Sequence, residues 1–243
     1  MNPLDTWGRG THTAGDRTYS YFRKGDGPAV VVIHEVPGIV PEVVEFAEEV
    51  VGRGFTVVLP HLFGEAGRKA SLGYATGTIA KVCVNREFTA FALNRTPPIA
   101  TWLRSLAVEL HEELGGPGVG AVGMCFTGGF ALAMLAGAPV AAPVLAQPST
   151  PFPLGRKRAA DLNLSPADLD SVRDKVVGGC QVLGLRYADD PAVGKRFDTL
   201  RRQLGENFLA VEFPGRKHST LTLHRQQEGV DRVLDFFTEK LRG

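Results

Sequence analysis

Cysteine is scarce in this chain. Cys83, Cys125 and Cys180 are the only three, and an odd, widely spaced set builds no disulfide framework. None pairs as C-x-x-C, which excludes a zinc ribbon or a thioredoxin-like motif. Charge of one sign is lacking too: 27 basic against 26 acidic residues leave a net +1. That balance argues against nucleic acid as a partner, because such binding relies on a basic excess. The opening residues MNPLDTWGRGTHTAGDR contain no apolar core of a signal peptide, and with few thiols the expected setting is the reducing cytoplasm. Long hydrophobic runs are also missing. The charge-free stretch Leu114 to Gly155 has the length of a membrane span, but Gly123, Gly128, Gly129, Gly137, Pro139 and Pro143 interrupt it. It reads as buried strand, turn, helix and strand, so no membrane partner is expected.

What is present points to a packed α/β protein. Of the 243 residues, 44% are hydrophobic, enough for a core that needs no staples. Short continuous apolar runs such as Ala29–His34, Phe55–Leu59 and Gly120–Met124 fit strands buried on both faces. Further strands are expected at Thr18–Arg23, Val140–Leu145, Val182–Leu185 and Phe208–Phe213. Helical spacing marks Pro41–Arg53, Arg86–Ala92, Ile99–Leu114, Thr127–Ala136, Arg196–Leu204 and Glu228–Leu241. Ser165, Pro166 and Asp168 form a helix-start signal for Ser165–Lys175. Alternating strands and helices predict a mostly parallel central sheet flanked by helices on both faces. We expect one domain over residues 1–243, with 1–17 a polar tail. Segments 61–98 and 148–176 are expected to shape a pocket, the latter opening as a loop with the basic cluster Arg156, Lys157 and Arg158.

In such sheets the chemistry gathers at the carboxyl ends of strands. Gly123-Met124-Cys125-Phe126-Thr127-Gly128 follows a buried strand and opens a buried helix. Gly123-x-Cys125 matches the first half of the nucleophile elbow G-x-S-x-G, with Cys in place of Ser. The second glycine falls one place late, at Gly128, and Thr127 holds the usual glycine position. An inert buried cysteine is the commoner fate of a free thiol, and Cys83 and Cys180 fit it. Gly118-Val119-Gly120-Ala121-Val122-Gly123 has the dinucleotide-binding spacing, but its glycines lie before and within a strand instead of opening a helix.

A general base is expected after the last core strand, in the order nucleophile, acid, histidine. Of six histidines, His218 alone has that placement; His12 belongs to the tail, His111 to a charged helix face and His224 to a helix start. The acid should follow the preceding strand, where Asp189 and Asp190 compete. Glu35 directly follows the first buried run. His34-Glu35 does not extend to H-E-x-x-H, because residue 38 is glycine, so no metal is expected.

These residues together resemble the dienelactone hydrolase (carboxymethylenebutenolidase) family. The resemblance is carried by His34-Glu35-Val36-Pro37-Gly38, Gly123-Met124-Cys125-Phe126-Thr127-Gly128-Gly129, Gly184 to Asp190 and His218, over most of the chain from Ala29 onward. It implies an α/β-hydrolase fold and hydrolysis of a small-molecule lactone or ester without metal or cofactor. It also implies Cys125 as nucleophile, Asp190 as acid and His218 as base. Glu35 matches a glutamate that contacts the resting thiol, Val36 and Phe126 match oxyanion-hole positions, and Arg86 matches a substrate-carboxylate arginine. A second arginine of the family is replaced here by Thr222, which removes half of an anion clamp. The alternatives are a carboxylesterase or thioesterase with a non-anionic substrate, and a ligand-binding or redox-sensing scaffold.

Overall fold

The computed structural model describes residues 2–242. Eight strands form one sheet: β1 (Gly8–Ala14), β2 (Arg17–Lys24), β3 (Ala29–Ile33), β4 (Thr56–Pro60), β5 (Val119–Met124), β6 (Val140–Ala146), β7 (Val182–Tyr187) and β8 (Phe208–Phe213). Their order is β1-β2-β4-β3-β5-β6-β7-β8. The pairs β1–β2 and β2–β4 are antiparallel, and every other pair is parallel.

The helices are α1 (Pro41–Gly52), α2 (Leu72–Val84), α3 (Ile99–Leu114), α4 (Phe130–Gly137), α5 (Gly155–Ala160), α6 (Pro166–Val177), α7 (Arg196–Leu204) and α8 (Gln227–Arg242). Side chains alternate across each strand, so β3 sends Ala29, Val31 and Ile33 into one core and Val30 and Val32 into the other. The first core is completed by α3, α4, α6 and α7, the second by α1 and α8. This is why the central strands read as continuous apolar runs. Local chemistry sets the helix ends as expected: Ser165 caps α6 by accepting from the Asp168 amide at 3.2 Å, with Pro166 in the first turn. The buried face of α8 carries Val230, Val233, Leu234, Phe237 and Leu241. Each large apolar side chain on it contributes about 1.5–3 kcal/mol.

The charge-free stretch resolves into β5, a 3-10 turn, α4 and β6, nearly all buried. Among the described residues, no helix is long and apolar enough to cross a membrane.

Three expectations are corrected. Within the described part of 1–17 there is no polar tail: Gly8–Ala14 is the edge strand β1, and Leu4 and Trp7 are buried; Met1 lies outside the described residues. The strand's one buried side chain is a histidine, His12, which is why it shows no apolar alternation. His12 Nδ1 lies 2.8 Å from Glu109 and its Nε2 lies 3.0 Å from Ser105. The helix expected over Arg86–Ala92 is absent. Thr89 has φ +45° and Asn94 φ +51°, outside the helical region, and the Asn85 side chain accepts from the Glu87 amide. The basic cluster 156–158 stands on the short helix α5, not in a loop.

Candidate active site

The turn after β5 carries the thiol. Cys125 has φ +53°, a conformation that non-glycine residues hold only when the surroundings enforce it. Two glycines make the turn possible. A Cβ on Gly123 would overlap the Thr127 carbonyl oxygen, and one on Gly128 would lie 2.5 Å from Pro148 Cα. Thr127 supplies the third restraint. Its buried hydroxyl accepts from the Met124 amide at 3.1 Å and faces the carbonyls of Ile33, His34 and Met124 at 3.0–3.1 Å. The threonine at the usual glycine position therefore ties the elbow to the end of β3.

Cys125 is half-buried, and its Sγ lies 3.5 Å from Ser149 Oγ. Ser149 belongs to the segment after β6 that forms the opposite wall. That wall is pinned from both sides. The Thr150 hydroxyl donates to the Phe126 carbonyl at 2.7 Å. The buried Arg196 guanidinium donates to the carbonyls of Thr150, Ala192 and Val193. Burial lowers Arg196 to about 10, against the opposing charge of Asp161, so it stays a cation.

His218 lies in the loop after β8. Its Nδ1 is 2.6 Å from Asp190 Oδ2, and Asp190 is buried at the end of β7, its other oxygen accepting from the Ala192 amide at 2.9 Å. Asp189 is exposed. Burial acts to lower the His218 pKa. The negative charge of Cys125, the hydrogen bonds to Asp190 and Cys125 and the charge of Asp190 outweigh it and raise the value to about 11. Asp190 thus fixes one edge of the ring, and Cys125 is near enough to bias its charge.

Glu35 follows β3 and is buried. Its carboxylate accepts from the hydroxyls of Ser219, at 2.8 Å, and Thr222, and from the Gln147 amide at 3.5 Å. The thiol is not among its hydrogen-bond partners. Next to it His34 is fully buried. Its Nδ1 donates to the Glu35 carbonyl at 3.1 Å and its Nε2 accepts from the Leu62 amide at 3.3 Å. Burial pushes His34 down to about 3, so it is a neutral structural link and not a second base.

The amides of Val36 and Phe126 have no acceptor among the described residues. The Phe126 ring packs against Phe63, Phe88 and Phe152 at 5.6–6.0 Å between centroids, which makes the floor beside the thiol aromatic. Arg86 does not join this group. It is exposed in the turn after α2 and lines a cavity of about 410 Å³ with Cys83, Phe91 and Arg95, without Cys125, Glu35 or His218. The structure therefore gathers Cys125, His218, Asp190, Glu35, Val36 and Phe126 at one end of the sheet. It adds Gln147, Ser149 and Ser219, which sequence reasoning missed. The only signal for them was position, directly after a core strand or beside the histidine.

The sequence model of the dienelactone hydrolase family matches residues 17–164, a span that includes Glu35 and Cys125 but ends before Asp190 and His218. No curated protein matches the sequence significantly. Solved structures are similar over nearly the whole chain. An α/β hydrolase from Penicillium sp. sh18 has a TM-score of 0.69 at 13% identity, covering 98% of this chain and 99% of its own. A dienelactone hydrolase from Anabaena variabilis has a TM-score of 0.66 at 17% identity, with the same coverage. A dienelactone hydrolase-like promiscuous phosphotriesterase from metagenomic libraries has a TM-score of 0.64 at 21% identity, covering 97% and 98%. At these identities the likeness is one of fold.

Proposed function

The chain belongs to the dienelactone hydrolase family, and from that premise we propose that it hydrolyses a lactone or carboxylic ester through a Cys125–His218–Asp190 triad. The observation that carries this reading is His218, held by Asp190 at 2.6 Å and near enough to Cys125 for the thiol to bias its charge.

The Cys125 thiolate attacks the acyl carbon, and its electron pair forms the C–S bond while the carbonyl π pair moves onto oxygen. The Val36 and Phe126 amides are the donors for that oxyanion, a stabilisation that commonly supplies about 3–4 kcal/mol per donor. The tetrahedral adduct collapses, the C–O bond to the alcohol breaks, and the leaving alkoxide takes the proton of the His218 imidazolium. A thioester remains.

The charge environment of His218 then changes in a useful direction. Its raised pKa depends on the negative sulfur as well as on Asp190. Acylation removes the sulfur's part in that rise, so the ring gives up its proton more readily. Neutral His218 accepts a proton from water, hydroxide attacks the thioester, and collapse expels the thiolate and releases the acid. The histidine is thus an acid in the first half and a base in the second. A thiolate suits this role because it is nucleophilic near neutral pH, and an imidazolium beside it is the cationic partner such a nucleophile needs.

The test is hydrolysis of p-nitrophenyl acetate. Cys125→Ala and His218→Ala should each lower kcat/KM by about three orders of magnitude or more. A wild-type rate in either variant would overturn the triad.

A further inference from the structure

Among the described residues, Glu35 is a buried carboxylate with no cationic partner. Burying a charge without one is costly unless hydrogen bonds replace the lost water. Here two of the three replacements come from one place. Ser219 and Thr222 donate to its two oxygens, and both lie in the loop that begins at His218. Gln147, fully buried after β6, donates to Glu35 at 3.5 Å. Its own carbonyl oxygen accepts from the Thr220 amide at 3.1 Å and the Thr220 hydroxyl at 2.7 Å. Two side chains from the ends of β3 and β6 therefore grip three consecutive or near-consecutive residues of the histidine loop.

The backbone on both sides of this grip is strained. Gln147 has φ +37° and Ser219 φ +30°, conformations that non-glycine residues keep only where their surroundings over-determine them. The His218 ring itself has a side-chain hydrogen bond to Asp190, which fixes one edge and not the position of the loop. On its far side Glu35 borders a cavity of about 50 Å³ shared with Val36, Pro37, Val40, Ser219 and Thr222, which does not include Cys125.

We propose that Glu35 and Gln147 form a clamp on residues 219–222 that sets where His218 meets Cys125, so that Glu35 is a positioning residue of the histidine loop and not a partner of the thiol. This rests on the reading of Cys125 and His218 as the reacting pair. Thr222 then has a definite role, because its hydroxyl holds one oxygen of Glu35.

The experiment compares Glu35→Gln, Thr222→Val, Thr222→Ser, Ser219→Ala and the Glu35→Gln/Thr222→Val double variant with the full-length wild type. The readouts are kcat, KM and the pH profile on p-nitrophenyl acetate, the rate of Cys125 alkylation by iodoacetamide, and thermal unfolding. Glu35→Gln and Thr222→Val should each lower kcat by about ten-fold or more with KM changed by less than about three-fold, since misplacement of a reacting group acts on the chemical step. Both should shift the pH profile in the same direction. Thr222→Ser, which keeps the hydroxyl, should recover most of the rate. The double variant should be no slower than the worse single one, because both break the same contact.

Additive losses, or an alkylation rate altered by Glu35→Gln but not by Thr222→Val, would mean that Glu35 acts on the thiol directly and would overturn the clamp. Wild-type kcat and pH profile in Glu35→Gln would overturn it as well. If a variant unfolds, Thr222→Ser against Thr222→Val at a temperature where both are folded still decides. Failure of the triad reading itself would show separately, as activity surviving in Cys125→Ala.

Discussion

His218 Nδ1 lies 2.6 Å from Asp190 Oδ2, while the neighbouring Asp189 is exposed to solvent. Two adjacent aspartates thus have unlike fates, decided by which one the turn after β7 buries. Asp190→Asn should lower kcat by about two to four orders of magnitude, because the amide no longer fixes the imidazole tautomer or stabilises the imidazolium. Asp189→Asn should change it by less than about two-fold, as substitutions of exposed residues usually do. Steady-state kinetics on an activated ester decides; equal effects would remove Asp190 from the triad.

The His218 pKa of about 11 makes a second expectation testable by NMR. In the resting protein the ring should stay protonated well above pH 6.5, its ordinary value. Cys125→Ala removes the sulfur's contribution and should lower the pKa by a readily measured amount. The sign for stability follows. A pKa raised on folding stabilises the fold fully below pH 6.5, and the contribution fades as pH rises towards 11. The Tm difference between wild type and His218→Ala should therefore narrow over that window. An unchanged His218 titration in Cys125→Ala would sever the proposed link between ring and sulfur.

The elbow predicts a stability effect. Gly123→Ala drives a Cβ into the Thr127 carbonyl, which is backbone and has nowhere to move. A loss of about 1–3 kcal/mol or more is expected, as for overpacking elsewhere. Thr127→Val keeps the shape but leaves the Met124 amide without its acceptor, at a cost of about 1–3 kcal/mol. Urea unfolding at constant m-value measures both.

Arg86 offers a test of specificity. Its cavity does not include the thiol or the histidine. Arg86→Ala should leave the ratio of kcat/KM on an anionic and a neutral ester within about two-fold, the change expected when a residue does not contact the substrate. A large fall on the anionic ester alone would show that the arginine reaches the substrate carboxylate.

The sequence alone determined the central strands of the sheet and pointed to Cys125 and His218 as candidates, because both are written in local chemistry. Continuous apolar runs require burial on both faces. Gly123 and Gly128 mark a turn too tight for side chains, and the nucleophile–acid–histidine order follows strand ends. Strand β8 and helix α7 run over the residues that periodicity predicts.

Tertiary structure decided what depends on partners distant in the chain. The edge strand β1 carries few apolar residues and exists because β2 pairs with it. Asp190 prevails over Asp189 through burial, not through any property of its dipeptide. Gln147, Ser149, Ser219 and Thr222 have no motif, since a hydroxyl or amide becomes part of a site only when another strand end faces it. Glu35 was visible as a carboxylate at the right place. That its oxygens turn to Ser219 and Thr222, some 184 and 187 residues away along the chain, is a fact of packing that no local pattern could encode.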